Sequence, residues 1–366
     1  LEELVTHAPR DLHARVEAAL VSAAFRHSGR NQLETARLLG LSRHIARARL
    51  IEHRQLPAST RRTISSPQTP PGFDGRALRI GYQTLGLLTL VKSCGVLDAA
   101  LGSRDLKISW QEYGGGIQIV DALRRGELDL GVVGDCPAVC AQAEGVPIVY
   151  VAAEPPTPRG AAVIASADSP LRSVKDLRGR RVAVNRAAQA HLLLMLALEE
   201  AGLGEEDIEL CFEPPARALE AFKSGAIDAW AVWDPWLSSA RLDLGARVLR
   251  DTSGLFDTSV YYIARQEFAR THPELVAELR KQLEVAARWV ESDPARAADM
   301  VAPRLGFSPK AVVASLDREL RSDGITQGQI VTQQRIADQC LRLRLIPSAV
   351  SVADAQWPGA LADSPV

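Results

Sequence analysis

The sequence predicts an α/β domain of two lobes preceded by a small all-α unit, and three observations predict it. Residues 57–76 (PASTRRTISSPQTPPGFDGR) are rich in Pro, Ser, Thr and Gly and have no hydrophobic period, the composition of a linker. Before them, apolar residues recur at helical spacing. After them, short β runs alternate with helical patterns in two successive series, the order expected of α/β architecture. At 366 residues the chain exceeds one average domain.

In chain order, Leu12, Val16, Leu20 and Ala23 or Ala24 place one amphipathic helix over Asp11 to His27, ended by Ser28-Gly29, and two shorter helices follow. The first lobe begins with a strand over Leu78 to Tyr82 and a helix running to about Leu101. Lys107 to Tyr113 and Ile117 to Arg125 form the next strand and helix, then Leu130 to Val133 and Pro137 to Glu144, then a strand over Ile148 to Ala153. The second series has strands at Ala161 to Ala165, Arg181 to Asn185, Ile208 to Phe212 and Ala229 to Val232, with helices at Ala188 to Ala201 and Ala216 to Ser224. From Pro273 the chain reads as helical, with breaks at Ser292-Asp293-Pro294 and Gly306 to Pro309. Three segments result: residues 1–56, a linker over 57–76, and 77–366. The last divides into lobe 1, about 77–155 plus the C-terminal helices, and lobe 2, about 160–250.

Charge separates the segments. Residues 1–62 carry eleven arginines against six acids, a net +5 in a chain of net charge -1. A basic end on a mildly acidic body suits nucleic-acid contact, and equally a solvated helix face. With 46% hydrophobic and 24% charged residues and no continuous apolar run of membrane-spanning length, no membrane insertion is expected. The five cysteines (94, 136, 140, 211 and 340) have no C-x-x-C or metal spacing and read as packed thiols in a reducing compartment. No charged n-region followed by an apolar h-region opens the chain, so a cytoplasmic location is expected, or a periplasmic one if an upstream signal peptide was removed.

Asn31 to Arg43 (NQLETARLLGLSR) carries the signature of two crossed helices. Asn31 caps the first with Glu34 as reciprocal partner, Ala36 allows close crossing, Gly40 supplies the turn, and Ser42 caps the next helix, Arg43 to His53. This run resembles the Fis-type helix-turn-helix of bacterial enhancer-binding regulators over about residues 12–56. The resemblance implies that Ser42, Arg43, His44, Arg47 and Arg49 face the major groove, and that the segment Leu12 to Phe25 pairs two copies into a homodimer. Ala46 and Ile45 depart from the family pattern.

In the large domain, polar or glycine residues repeatedly separate a strand from the helix after it, where free N–H groups and the helix dipole favour an anion. Tyr82-Gln83-Thr84, Gly114-Gly115-Gly116, Gly134-Asp135 and Ala187-Ala188-Gln189 are four such starts, and they can converge on one acidic headgroup. The three glycines suit a tight turn equally well. Several blocks here together resemble the substrate-binding proteins of aliphatic sulfonate, taurine and nitrate ABC importers: Ile80 to Gln83, Leu128 to Asp135, Glu154-Pro155-Pro156, Ala190-His191, Asp228 to Pro235, and Gln334 to Asp338. The match runs over residues 78–357 and implies a two-lobed, type II periplasmic-binding-protein-like fold. It implies a pocket using Gln83, Asp135, Glu154, Gln189, His191, Trp233 and Asp234, with Trp233 as an apolar wall, while Thr84 and Gly115 enter from the helix starts. His191 has a structural alternative, and Trp230 and Trp236 are expected in the core. Three acids beside an anion repel it unless they accept backbone donors or face a cationic end of the ligand, which points to a zwitterionic or hydroxylated ligand. Ala187-Ala188-Gln189 stands where sulfonate binders carry Gly-Ser-Ser, and Thr84 where a Lys is common.

The combination implies a ligand-responsive transcriptional regulator that senses a small organic anion or zwitterion, a sulfonate, sulfate ester or related organosulfur compound, with double-stranded DNA and a second copy as partners. The alternative is the substrate-binding protein of an importer for aliphatic sulfonates or nitrate-like solutes. An enzyme is not expected: thiamine-pyrimidine synthases share the fold, but Cys136 to Cys140 is too sparse for their cysteine motif. There is no P-loop, H-E-x-x-H, nucleophile elbow or zinc spacing, so neither cofactor nor metal is expected.

Overall fold

The computed structural model describes residues 12–28, 35, 38, 50, 73–102, 106–157, 159–318, 320 and 324–359. The chain divides into two compact units, Leu1–Thr69 and Pro70–Val366. In the first, α1 (Leu12–His27) occupies the amphipathic run read from the sequence. Val21 and Phe25 bury against Leu50, whereas Leu20 is exposed, so two residues expected at a dimer face pack inside the chain instead. The caps Asn31 and Ser42, the candidate DNA contacts Ser42, Arg43, His44, Arg47 and Arg49, and residues 57–72 of the linker lie outside the described residues.

The second unit is built on two five-stranded sheets. Lobe 1 holds β1 (Ala77–Gln83), β2 (Lys107–Tyr113), β3 (Leu130–Gly134) and β4 (Ile148–Ala153). Lobe 2 holds β5 (Ala161–Ala165), β6 (Arg181–Val184), β7 (Glu209–Phe212), β8 (Ala229–Trp233) and β9 (Arg247–Asp251). The chain then returns to lobe 1 as β10 (Val260–Arg265), giving the orders β2-β1-β3-β10-β4 and β7-β6-β8-β5-β9. In each sheet the strand delivered by a crossing runs antiparallel to its neighbours: β10 to β3 and β4, and β5 to β8 and β9. The two crossings pair as an antiparallel ribbon, Thr157 N donating to Thr258 O at 2.7 Å and Glu154 N to Val260 O at 2.9 Å. β3 and β4 are buried at every residue because helices cover both faces, which is why they read as continuous apolar runs.

The helices of lobe 1 are α2 (Leu87–Cys94), α3 (Val96–Gly102), α4 (Gly116–Arg124) and α5 (Asp135–Ala143). Lobe 2 carries α6 (Gln189–Glu200), α7 (Pro215–Lys223) and α8 (Trp236–Asp243). After β10 come α9 (Gln266–Thr271), α10 (Pro273–Ser292), α11 (Pro294–Leu305), α12 (Pro309–Leu316) and α13 (Gln327–Arg342). The single helix expected up to about Leu101 is two, because Gly95 takes φ 66 and ends α2 in a left-handed cap. Between Trp233 and Pro273 the sequence reading assigns no element, yet α8, β9, β10 and α9 lie there. The run VYYIAR of β10 has neither helical nor alternating period, since both its faces are covered. No helix of the described residues is long and apolar enough to cross a membrane.

At the edge of the lobe 1 sheet away from lobe 2, a buried carboxylate fastens three strands. Asp129, fully buried just before β3, accepts from Arg79 N at 3.0 Å, Nε at 2.9 Å and Nη2 at 2.5 Å, and Arg265 Nη2 of β10 stands 3.8 Å away. Truncating Arg79 removes its partner and leaves the buried charge under-compensated. Arg79→Met is expected to destabilise the protein by about 3 kcal/mol in urea unfolding. Arg125→Met, which breaks the exposed pair with Glu127, is expected to cost less than about 1 kcal/mol.

Candidate functional site

A cleft lies between the facing edges of the two sheets and encloses about 990 Å³, its part open to solvent included. Four helix starts meet it. Gly86, Gly115, Gly134 and Ala188 precede α2, α4, α5 and α6, and no side chain of these N-cap residues caps the helix. Free N–H groups at such starts attract an anion. Two of the starts come together because of one glycine: a Cβ on Gly116 would stand 2.7 and 2.9 Å from the Pro137 ring, so only glycine lets α4 approach α5 this closely.

Of the nine residues proposed from sequence, Gln83, Thr84, Glu154, Gln189, Trp233 and Asp234 line the cleft. Gln83 is oriented by donating its amide to Val132 O at 3.1 Å. Gln189 reaches across from lobe 2, its Oε1 being 2.8 Å from the point a Cβ on Gly134 would occupy. Glu154 accepts from the Tyr262 hydroxyl at 2.7 Å and pairs with Arg318 Nη2 at 3.0 Å. Asp234 Oδ1 accepts from Ser238 N at 2.9 Å and Ser238 Oγ at 2.6 Å, so the carboxylate secures the start of α8. Burial holds Asp234 above the usual carboxylate range, opposed by Ser238 and by Arg318 and Arg241.

Three expected contacts do not line the cleft. Asp135 is fully buried, its carboxylate folded back to accept Cys136 N at 2.9 Å. His191 lies in the first turn of α6, where its Nδ1 accepts from Ala187 N at 3.3 Å and its ring packs edge-on to Phe212. Gly115 is turned toward Asn185 of lobe 2, while Gly114 and Gly116 beside it line the cleft. Trp230 is core, as expected; Trp236 is half-buried, packing against the core while also lining the cleft and meeting Phe307 edge-on at 4.9 Å. Sequence reasoning missed Thr157, Thr258, Ser259, Ser315 and Arg318. The first three sit on the paired crossings, visible only once β10 is recognised. Arg318 follows α12 with no local pattern to mark it.

Two sheets, two crossings and a donor-rich cleft between lobes define a two-lobed α/β solute-binding protein. A family model described as NMT1/THI5 like matches residues 103–297. An aliphatic sulfonates-binding protein of Escherichia coli K12 is 34% identical over 285 residues, 77% of this chain and 88% of that protein. The alkanesulfonate-binding protein SsuA of Xanthomonas axonopodis pv. citri, solved bound to MOPS, superposes with a TM-score of 0.73 at 35% identity, covering 80% of this chain and all of that one. The chain belongs to the NMT1/THI5-like aliphatic sulfonate-binding protein family.

These relatives overturn the expectation of a transcriptional regulator: proteins matching more than three quarters of the chain bind solutes. The sigma54-dependent activator SfnR of Pseudomonas putida is 43% identical over 70 residues, which is 19% of this chain and 18% of that protein, too little to carry the activity of either. Neither DNA contact, a homodimer nor a cytoplasmic location draws support from the sulfonate-binding relatives.

Two buried groups beside the cleft act oppositely on stability. Burial lowers His191 from 6.5 to about 4, so its contribution is present above its ordinary value and is lost as pH falls through about 4. Burial raises Asp135 from 3.8 to about 6, so its contribution is present below its ordinary value and is lost as pH rises through about 6. His191→Gln is therefore expected to lose less stability than wild type between about pH 7 and about pH 4.5, and Asp135→Asn to lose more. Urea midpoints across that range check both, and variants that parallel wild type would refute the assignments.

Proposed function

We propose that the chain is the substrate-binding protein of an ABC-type importer, that it works in the periplasm, and that it closes its cleft on an aliphatic sulfonate. The observation that carries this is the convergence of four helix starts on one cleft, those of α2, α4 and α6 with no side-chain cap and that of α5 partly claimed by Asp135, with the amides of Gln83 and Gln189 and the hydroxyl of Thr84 beside them. A sulfonate is a weakly basic single charge spread over three oxygens, suited to many neutral donors rather than one strong cation. Trp233 and Trp236 supply the apolar surface an alkyl tail needs. Kinship with sulfonate-binding proteins of known fold supports the same ligand class.

The polar part of the lining formed by Glu154, Arg318 and Asp234 suits a tail that ends in a donor or in a hydroxyl. Calorimetry with alkanesulfonates of increasing length, nitrate and sulfate tests the reading. Saturable binding of the sulfonates at about micromolar Kd is expected, and nitrate as the tightest ligand would overturn it. Gly116→Ala drives the starts of α4 and α5 apart and is expected to weaken sulfonate binding roughly tenfold or more, as two helix starts lose their aim at one headgroup. Unchanged affinity in that variant would mean the headgroup sits elsewhere.

A further inference from the structure

We propose that Asp135 sets the charge selectivity of the cleft, favouring singly charged sulfonates over doubly charged oxyanions such as sulfate. This rests on the sulfonate-binding reading above. Asp135 opens α5, whose start reaches the cleft through Gly134 and Pro137, but its own side chain is sealed beneath that surface. The N–H that a helix start would offer to an incoming anion, that of Cys136, is already held by the Asp135 carboxylate at 2.9 Å. The Thr258 hydroxyl and the Ser259 backbone also turn toward it, and both residues line the cleft. The resident charge thus lies directly under the surface the headgroup meets.

Interaction with a fixed charge scales with the charge of the ligand. If the carboxylate weakens a monoanion by some factor, it weakens a dianion by the square of that factor. Among the described residues of the lining no surplus cation cancels this, since Arg318 is paired with Glu154 and Asp234 adds a second carboxylate.

The groups packed around Asp135 leave it as the charge that changes there. Cys136 and Cys140 lie on its own helix, Tyr150 on β4, Tyr261 on β10, and Cys340 on α13 at 3.8 Å from Cys136 Sγ. Gln333 of α13 donates to the Asp135 carbonyl at 2.9 Å. Burial pushes Cys140 up to about 12 and raises Tyr150 and Tyr261, and the contact with the Cys340 thiol, together with burial, raises Cys136, so these stay neutral near neutral pH. Asp135, raised to about 6, is largely charged above neutral pH and largely neutral at about pH 5.

Calorimetric titration of the full chain with ethanesulfonate, and with sulfate in competition with it, tests this in wild type and Asp135→Asn at about pH 7.5 and about pH 5. At the higher pH the variant is expected to gain more for sulfate than for ethanesulfonate, the sulfonate-to-sulfate affinity ratio falling about tenfold. Wild type at the lower pH should shift the same way, and the variant's ratio should not depend on pH through this group. A merely structural role would move both affinities together and leave the ratio in place. A ratio unchanged both in the variant and in wild type between the two pH values would overturn the proposal. If the variant fails to fold, the pH arm decides when run in Asp234→Asn, which removes the other raised carboxylate of the cleft: a ratio that still shifts with pH supports Asp135, and one that no longer does overturns it. Absence of sulfonate binding to wild type would overturn the preceding reading as well, whereas sulfonate binding with a fixed ratio would remove only the role of Asp135.

Discussion

The arrangement of lobe 1 depends on how β10 is fixed. This strand arrives from the other lobe, runs against β3 and β4, and is fastened at its far end by Arg265 beside the buried Asp129, to which Arg79 of β1 also binds. With that edge knotted, the register carries the other edge: Val260 pairs with Gly134, and Tyr261 with Ala153. The start of β10 and the ends of β3 and β4 therefore reach the cleft at one level, bringing Ser259, Gly134 and Glu154 into the same surface. Slipping β10 by one residue would exchange its two faces and move Tyr262 away from Glu154.

Much of this was legible in the sequence, because the fold repeats one local event. A short apolar strand ends, a small or polar residue follows, and a helix begins. That event produces both the period change that marks the elements and the free helix starts that mark the cleft, so architecture and anion surface are read from the same residues. What stayed hidden has a different cause. The strand β10 is covered on both faces and shows no period, and Thr258 and Ser259, which depend on it, cannot be seen until the strand is known. Arg318 reaches the cleft through tertiary packing alone, far from any strand end. Asp135 and His191 sit at helix starts as expected, but local backbone groups, Cys136 N and Ala187 N, claim their polar atoms and turn them from the cleft. Residue type and position do not determine which way a side chain folds over its own helix start.

The same local capture accounts for the acids at and beneath the cleft surface. Three carboxylates near a surface for anions look repulsive in the sequence, yet each is engaged by the protein itself. Glu154 is held by Tyr262 and Arg318, Asp234 by Ser238, and Asp135 by Cys136. Charges bound in this way cost less to bury than isolated ones, and they fix the geometry of the donors around them. Among the described residues the cleft has one cation, paired, and many neutral donors, whereas the sequence of the first 62 residues carries eleven arginines against six acids.

Arg318 links this electrostatics to the contact between lobes. It follows α12, and α12 belongs to the helices that complete lobe 1 while touching lobe 2: Ser308 Oγ donates to Asp243 Oδ1 at 2.8 Å, Lys310 Nζ lies 3.4 Å from the same carboxylate, and Phe307 packs on Trp236. On the other side, Arg342 of α13 grips Glu199 of α6 through two bonds of 2.7 and 2.8 Å, and Leu192 and Leu196 of α6 enter the lobe 1 core. The two crossings are thus not the only ties between lobes. Arg318 stands just after a helix tied to lobe 2 through Asp243 and Trp236, so its place in the cleft depends on the contacts of both lobes.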